Sequence, residues 1–167
     1  MDKLDDLESK LFNKNYSDMS ERESELLLEQ YKLYVGMMDK ISERRHQANA
    51  FFLSVNTTLV TALAGFITLF YKDKTQNVSI AMAGVAGVIF CLTWWRLIRS
   101  YSQLNTGKFK IIHLLEEKMP ARLFAAEWEA LKRGDGSKYT PFTHVETYIP
   151  LIFAGFYIAL VLYVLLR

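Results

Sequence analysis

Across 167 residues the chain is 51% hydrophobic and 23% charged, with 20 basic and 18 acidic residues and a formal net charge of +2. So small a net charge argues against nucleic acid as a partner, and a single cysteine, Cys91, excludes an intrachain disulfide framework. The composition is also unusual for one water-soluble core, because the apolar and charged residues are segregated along the chain.

Residues 1–19, opening "MDKLDDLESK", are polar with scattered Leu and Phe. They are expected to form a loose tail with a short helix around "LDDLESKLF". This acidic start is unlike a secretory signal, which is basic and then apolar, so the first span is expected to insert as an internal anchor. Ser20 and Glu23 have the spacing of a capping box, with Glu21, Glu23 and Glu25 in the first turn, where the helix dipole favours negative charge. From there Leu27, Tyr31, Tyr34, Met38, Ile41, Arg45, Ala48 and Phe52 recur at alternating steps of four and three, a heptad seam. The seam continues through Val55, Leu59, Ala62, Phe66 and Leu69 without a proline, which predicts one helix of about fifty residues. Residues 20–49 are its charged part and 50–71 its apolar part.

Ala50–Tyr71, Val78–Trp95 and Tyr148–Leu166 are runs of 22, 18 and 19 residues that contain no Asp, Glu, Lys or Arg. At 1.5 Å per residue they span roughly 27–33 Å, the thickness of a bilayer core. Three such runs predict three transmembrane helices. The outer connection 72–77, "KDKTQN", is long enough only for a tight hairpin, so the first two spans are predicted to be antiparallel neighbours. The second span, 78–95, ends in "WWRLIRSY"; Trp94 and Trp95 suit the headgroup zone, and Arg96 and Arg99, with Arg44 before the first span, suit the membrane surface.

Within the segment 96–146, Ile98, Tyr101, Leu104, Ile111, Ile112, Leu115 and Met119 keep one apolar side, so 96–119 is expected to pack on 20–49 as a helical hairpin. Gly107 marks a weak point or a close contact. After Pro120 come a shorter helix, "ARLFAAEWEALK", ended by Gly134, and the loop "RGDGSKYTP". Thr143 and Glu146 repeat the capping-box spacing ahead of the third span, 147–167, in which Pro150 is tolerable near the start and kinks the helix if it falls deeper.

Orientation follows from Lys and Arg near the span ends. Eleven lie on one side, in 32–45, 96–110 and 132–138, against Lys72, Lys74 and Arg167 on the other. This predicts a cytoplasmic N-terminus, a cytoplasmic 96–146 segment and a periplasmic C-terminus.

Chemical motifs are largely missing. The sequence has no Gly-x-Ser-x-Gly, His-Glu-x-x-His, Cys-x-x-Cys or dinucleotide fingerprint. "TGKF" lacks both the upstream glycine and the metal-binding hydroxyl of a phosphate loop. His113 and Glu116 have helical i, i+3 spacing, but without further ligands a solvated ion pair is expected. No catalytic residue, metal site or cofactor is assigned, and an enzyme using Glu116, His113 and His144 is the least favoured class.

The polar residues of the first span carry more information. Ser54, Thr57, Thr61 and Thr68 share one side, flanked by Asn56 and Thr58. Hydroxyls in lipid can bond back to their own helix, whereas an Asn amide needs a partner from another helix, water or a ligand. Two readings stay open, packing between helices and the lining of a pore by Asn56, Thr57, Thr61 and Thr68. Gly84, Gly87 and Cys91 on the second span, and Gly155 with Ala159 on the third, favour close helix contacts and self-association. Arg45 occupies a seam position that prefers an apolar side chain; it either snorkels to headgroups or pairs across subunits with a carboxylate such as Glu116 or Glu146. Tyr31, Tyr34, Met38, Ile41, Arg45, Tyr101 and Ile112 are the expected assembly surface of a cytoplasmic collar.

The segments "YKLYVGMMDKISERRHQANAFFLSVNTTLV", "WWRLIRSYSQLNTGKFKIIHLLEEKMP", "EWEALKRG" and "YTPFTHVETYIP" resemble, in order, the bacterial RipA-like octameric membrane proteins. The resemblance covers roughly residues 25–155. It implies a bacterial inner-membrane protein assembled from about eight subunits, and brings no catalytic residues. By architecture alone the chain also resembles small membrane effectors of bacterial nucleotide-signalling defence systems. The expected protein is therefore an all-α, three-span membrane protein whose cytoplasmic helical collar continues its first two spans. Its expected partners are copies of itself, lipids, and an unidentified cytoplasmic protein or small ligand. The leading role is a scaffold or pore component, with a triggered membrane-disrupting effector as the alternative.

Overall fold

The computed structural model describes residues 2–14, 16–70, 76–131 and 142–166. These form helices α1 (Asp2–Leu11), α2 (Glu21–Phe70), α3 (Asn77–Glu116), α4 (Leu123–Ala130) and α5 (Phe142–Leu166), with a 3-10 turn at Tyr16–Asp18 and no strand among the described residues. They divide into two compact units: Met1–Ser42 with Gln103–Thr140, and Glu43–Ser102 with Pro141–Arg167.

The start of α2 follows the capping-box expectation. The Glu23 amide donates to Ser20 Oγ at 3.3 Å, and the Ser20 amide donates to Glu23 Oε2 at 2.9 Å. Lys14 donates to the same carboxylate at 2.7 Å and, with the bonds from Ser20, holds the Glu23 pKa down to about 2. The predicted single long helix is observed at 50 residues.

Its seam departs from the strict heptad. Leu27 to Phe52 face inward as expected, but the buried side then moves to Asn56, Val60, Leu63 and Ile67, leaving Leu59, Ala62, Phe66 and Leu69 outside. From Leu27 to Ile67 the seam takes eleven steps over forty residues, close to the 3.6-residue turn of a straight helix. A heptad repeat drifts about 20° per repeat against that turn, so one extra residue, a step of four in place of three, restores the alignment.

In the first unit, Met38, Ile112, Leu114 and Leu115 are buried. The N-terminal residues, expected as a loose tail with a short helix around "LDDLESKLF", carry that helix as α1, joined to the turn after α3 by a 2.8 Å ion pair between Lys118 and Glu8. Helix α3 stops at Glu116, three residues short of the expected Met119, since Pro120 disfavours helical geometry in the residue before it. The Lys118 and Met119 amides instead bond the Leu115 and Glu116 carbonyls, tightening the last turn. Leu104, expected on the inward side, is 48% exposed, and Asn105 and Lys108 hold the inward positions.

The second unit packs α2, α3 and α5 through Cys91, Ala154 and Tyr157, with Val60, Leu63, Val88 and Phe153 against them. α2, α3 and α5 are each long and apolar enough to cross a membrane. Many of the large apolar side chains of this unit, such as Phe51, Leu69, Met82, Ile89 and Phe156, point outward, as suits lipid rather than water. Pro150 is buried in the third turn of α5, where its missing N–H leaves the Glu146 carbonyl without its usual helical donor. Residues 71–75 of the outer connection and the loop "RGDGSKYTP" lie outside the described residues, as do the side chains of Thr143 and His144.

Candidate functional site

In the first unit the focal residue is Glu116, which is fully buried. Its Oε1 accepts the Tyr31 hydroxyl at 3.1 Å and the Phe124 amide at 2.9 Å, and its Oε2 accepts the Ala125 amide at 3.1 Å. Glu116 therefore does for α4 what a capping residue normally does, because the local N-cap, Arg122, makes no side-chain cap bond. A carboxylate in the last turn of α3 thus fixes a helix eight residues on. The expected solvated pair with His113 is overturned: the Glu116 oxygens are taken by Tyr31 and the two amides. The His113 ring instead packs 6.2 Å from that of Phe109, which in turn contacts Phe124 at 5.9 Å. Burial, the Glu116 charge and their hydrogen bond raise the Tyr31 pKa to about 12, so the phenol stays a donor.

Lys108, 8% exposed, lies with its ammonium 4.3 Å from the centre of the Tyr34 ring, a cation–π contact at an inward position of α3. Burial raises the Tyr34 pKa. Among the described residues no group of three His, Cys, Asp or Glu side chains converges on a possible metal position.

In the second unit Asn56, a candidate pore residue, is fully enclosed within the chain. Its amide nitrogen donates to the Phe52 carbonyl at 2.8 Å, and its oxygen accepts the Cys91 thiol at 3.3 Å. The partner that an Asn in lipid requires is therefore α3, not a pore. Thr57, Thr61 and Thr68 are exposed, and each hydroxyl donates at 2.8 Å to the carbonyl four residues earlier, Leu53, Thr57 and Ala64. With Ser54 and Ala64 they make an open stripe of small side chains on α2 whose threonine hydroxyls are already satisfied.

The small residues of α3 are filled from within. A Cβ at Gly84 would come 2.5 Å from Val161 Cγ2, and one at Gly87 would come 2.6 Å from the Tyr157 ring. Gly155 has nothing within 4 Å, and Ala159 is exposed.

Trp94, expected in the headgroup zone, is 1% exposed. Its indole N–H donates to Asn49 Oδ1 at 2.9 Å, and its ring stacks on Phe52 at 5.7 Å. Sequence reasoning missed Asn49, although an Asn immediately before the first apolar run is the kind of partner a buried indole needs. Trp95 is half-buried with the Arg99 guanidinium 4.9 Å from its centre, and Arg44, Arg96 and Arg99 are exposed as surface anchors would be.

Arg45 meets Glu146 within one chain, at 3.6 Å and with side chains 20% and 22% exposed. That distance is an electrostatic pairing rather than a hydrogen bond. The carboxylate expected across a subunit boundary is thus supplied internally. Of the other expected assembly residues, Met38 and Ile112 are buried inside the chain, and Tyr31, Tyr34, Ile41 and Tyr101 lie half-buried on inward sides.

The model of the octameric membrane protein family matches residues 28–166, which spans both units and all three candidate membrane helices. No curated protein and no solved structure matches the chain.

Proposed function

The chain belongs to the octameric membrane protein family, and on that premise we propose that it is a non-enzymatic homo-octameric scaffold of a bacterial inner membrane. Its N-terminus and the unit containing Glu116 lie in the cytoplasm, and its C-terminus lies in the periplasm. The observation that carries this reading is the open stripe of Ser54, Thr57, Thr61, Ala64 and Thr68. Small side chains with self-satisfied hydroxyls let helices approach closely in lipid, where van der Waals packing rather than hydrophobic burial holds them together. The exposed Gly155 and Ala159 offer a second such face, and a ring needs two different faces on each subunit.

The exposed hydroxyls also support a second reading, a pore lined by Thr57, Thr61 and Thr68. Two measurements test the pair. Native mass analysis of the purified protein is expected to give eight times the 19.4 kDa chain mass. Proteoliposomes are expected to show no ion flux; a flux that Thr61→Leu abolishes while the octamer persists replaces the scaffold with the pore. Asn56→Leu does not discriminate, since Asn56 is enclosed within the chain.

A further inference from the structure

The charged part of α2 carries an apolar stripe that the chain itself does not cover. Leu26, Leu33 and Met37 are 55%, 70% and 51% exposed and recur at steps of seven and four, so they lie along one line of the helix. This line is separate from the inward seam of Tyr31, Tyr34 and Met38. Lipid does not account for it, because Glu25, Glu29, Lys32, Asp39 and Lys40 are exposed along the same turns, with Lys32 and Glu29 paired at 2.8 Å in the open. Aligned apolar side chains of this kind on a water-exposed helix mark a protein contact.

A second open place in the same unit has a complementary shape. Leu104 on α3 is 48% exposed, and a Cβ added at Gly107, three residues on, would meet nothing within 4 Å. A bulky residue next to an open glycine on a helix surface makes a notch that a leucine from another helix can enter.

We infer that the cytoplasmic contact between subunits seats the Leu26–Leu33–Met37 stripe of one copy on the Leu104–Gly107 face of α3 in the next. The occupant is a second copy of this chain, since the family match that names an octamer covers both faces from residue 28 onward. A closed ring joins unlike surfaces head to tail, and these are two unlike apolar surfaces on the long helices of one unit. The inference rests on the octameric reading proposed above and adds where the subunits meet.

Cysteine cross-linking in the full-length protein tests it, with the native Cys91 enclosed in the other unit and 1% exposed. The variant carrying both Leu33→Cys and Leu104→Cys, oxidised or treated with a short bis-maleimide, is expected to give a ladder of covalent species up to the octamer on a non-reducing gel. Leu33→Cys alone and Leu104→Cys alone are expected to stay monomeric on that gel, and all three are first shown to keep the wild-type mass in detergent. Covalent dimers from Leu33→Cys alone overturn the head-to-tail assignment, because the stripe then meets itself. Absence of the ladder in an intact octamer overturns this interface and leaves the octameric reading standing. A monomeric wild-type protein overturns both. As a second line, Leu33→Glu is expected to lower the assembly's resistance to dilution at least tenfold while circular dichroism stays unchanged; an octamer as resistant as wild type overturns the contact.

Discussion

At the residue scale the most consequential side chain outside the membrane is Glu116, whose three hydrogen bonds tie α2, α3 and α4 together. Glu116→Ala strands two amide donors and a phenol, and is expected to cost about 3 kcal/mol, whereas Tyr31→Phe leaves both amides bonded and costs about 1 kcal/mol. Denaturant titration followed by circular dichroism checks the ranking. The pH sign follows from the raised Tyr31 pKa: its stabilising contribution is complete below the ordinary phenol value near 10 and is lost as pH climbs through about 12. Tyr31→Phe should therefore flatten the loss of stability across that alkaline window. The sequence showed Glu116 as the i, i+3 neighbour of His113 and as one possible carboxylate for Arg45. What it lacked was any sign that α4 has no cap of its own.

At the element scale, the long helices were readable because nothing interrupts them: Ser20 and Glu23 start α2, and no proline follows before its end at Phe70. Which side of α2 faces inward was less readable beyond about seven turns, after Phe52. A one-residue drift exchanged Leu59 and Phe66 for Val60 and Ile67, and placed Asn56 inside. Small residues behaved likewise, since composition marks Gly87 and Gly155 as equivalent and packing separates them. Gly87→Ala forces a Cβ to 2.6 Å from the Tyr157 ring and is expected to cost about 2 kcal/mol by overpacking. Gly155→Ala, with open space around it, should cost less. Thermal unfolding of the two variants in one detergent checks the difference, and an equal loss would place the Gly155 face in a tight contact.

At the scale of the whole molecule, the eleven-to-three distribution of Lys and Arg is the physical argument for orientation. A protease site appended after Arg167 is expected to be cut in intact spheroplasts, and one inserted ahead of Asp6 only after permeabilisation. The reverse pattern would move the unit containing Glu116 to the outside. Assembly belongs to this scale too, because the inward seam that first suggested a subunit surface packs its own chain, and the candidate contacts move to Leu33, Leu104 and the Thr57–Thr61 stripe.

The sequence by itself determined the fold class, the three spans and the continuity of α2 from charged to apolar residues. Each of these depends on local periodicity and on where charge is absent, and both are written along the chain. Tertiary structure decided the partners: Asn56 with Cys91, Trp94 with Asn49, Arg45 with Glu146, Glu116 with the start of α4. Those pairs join residues on different helices, and a rotation of about 100° per residue turns a small error in period into the wrong face within a few turns. That is why Asn56, for which the sequence leaves helix packing and pore lining both open, is part of the chain's own packing, while the threonines beside it stay exposed.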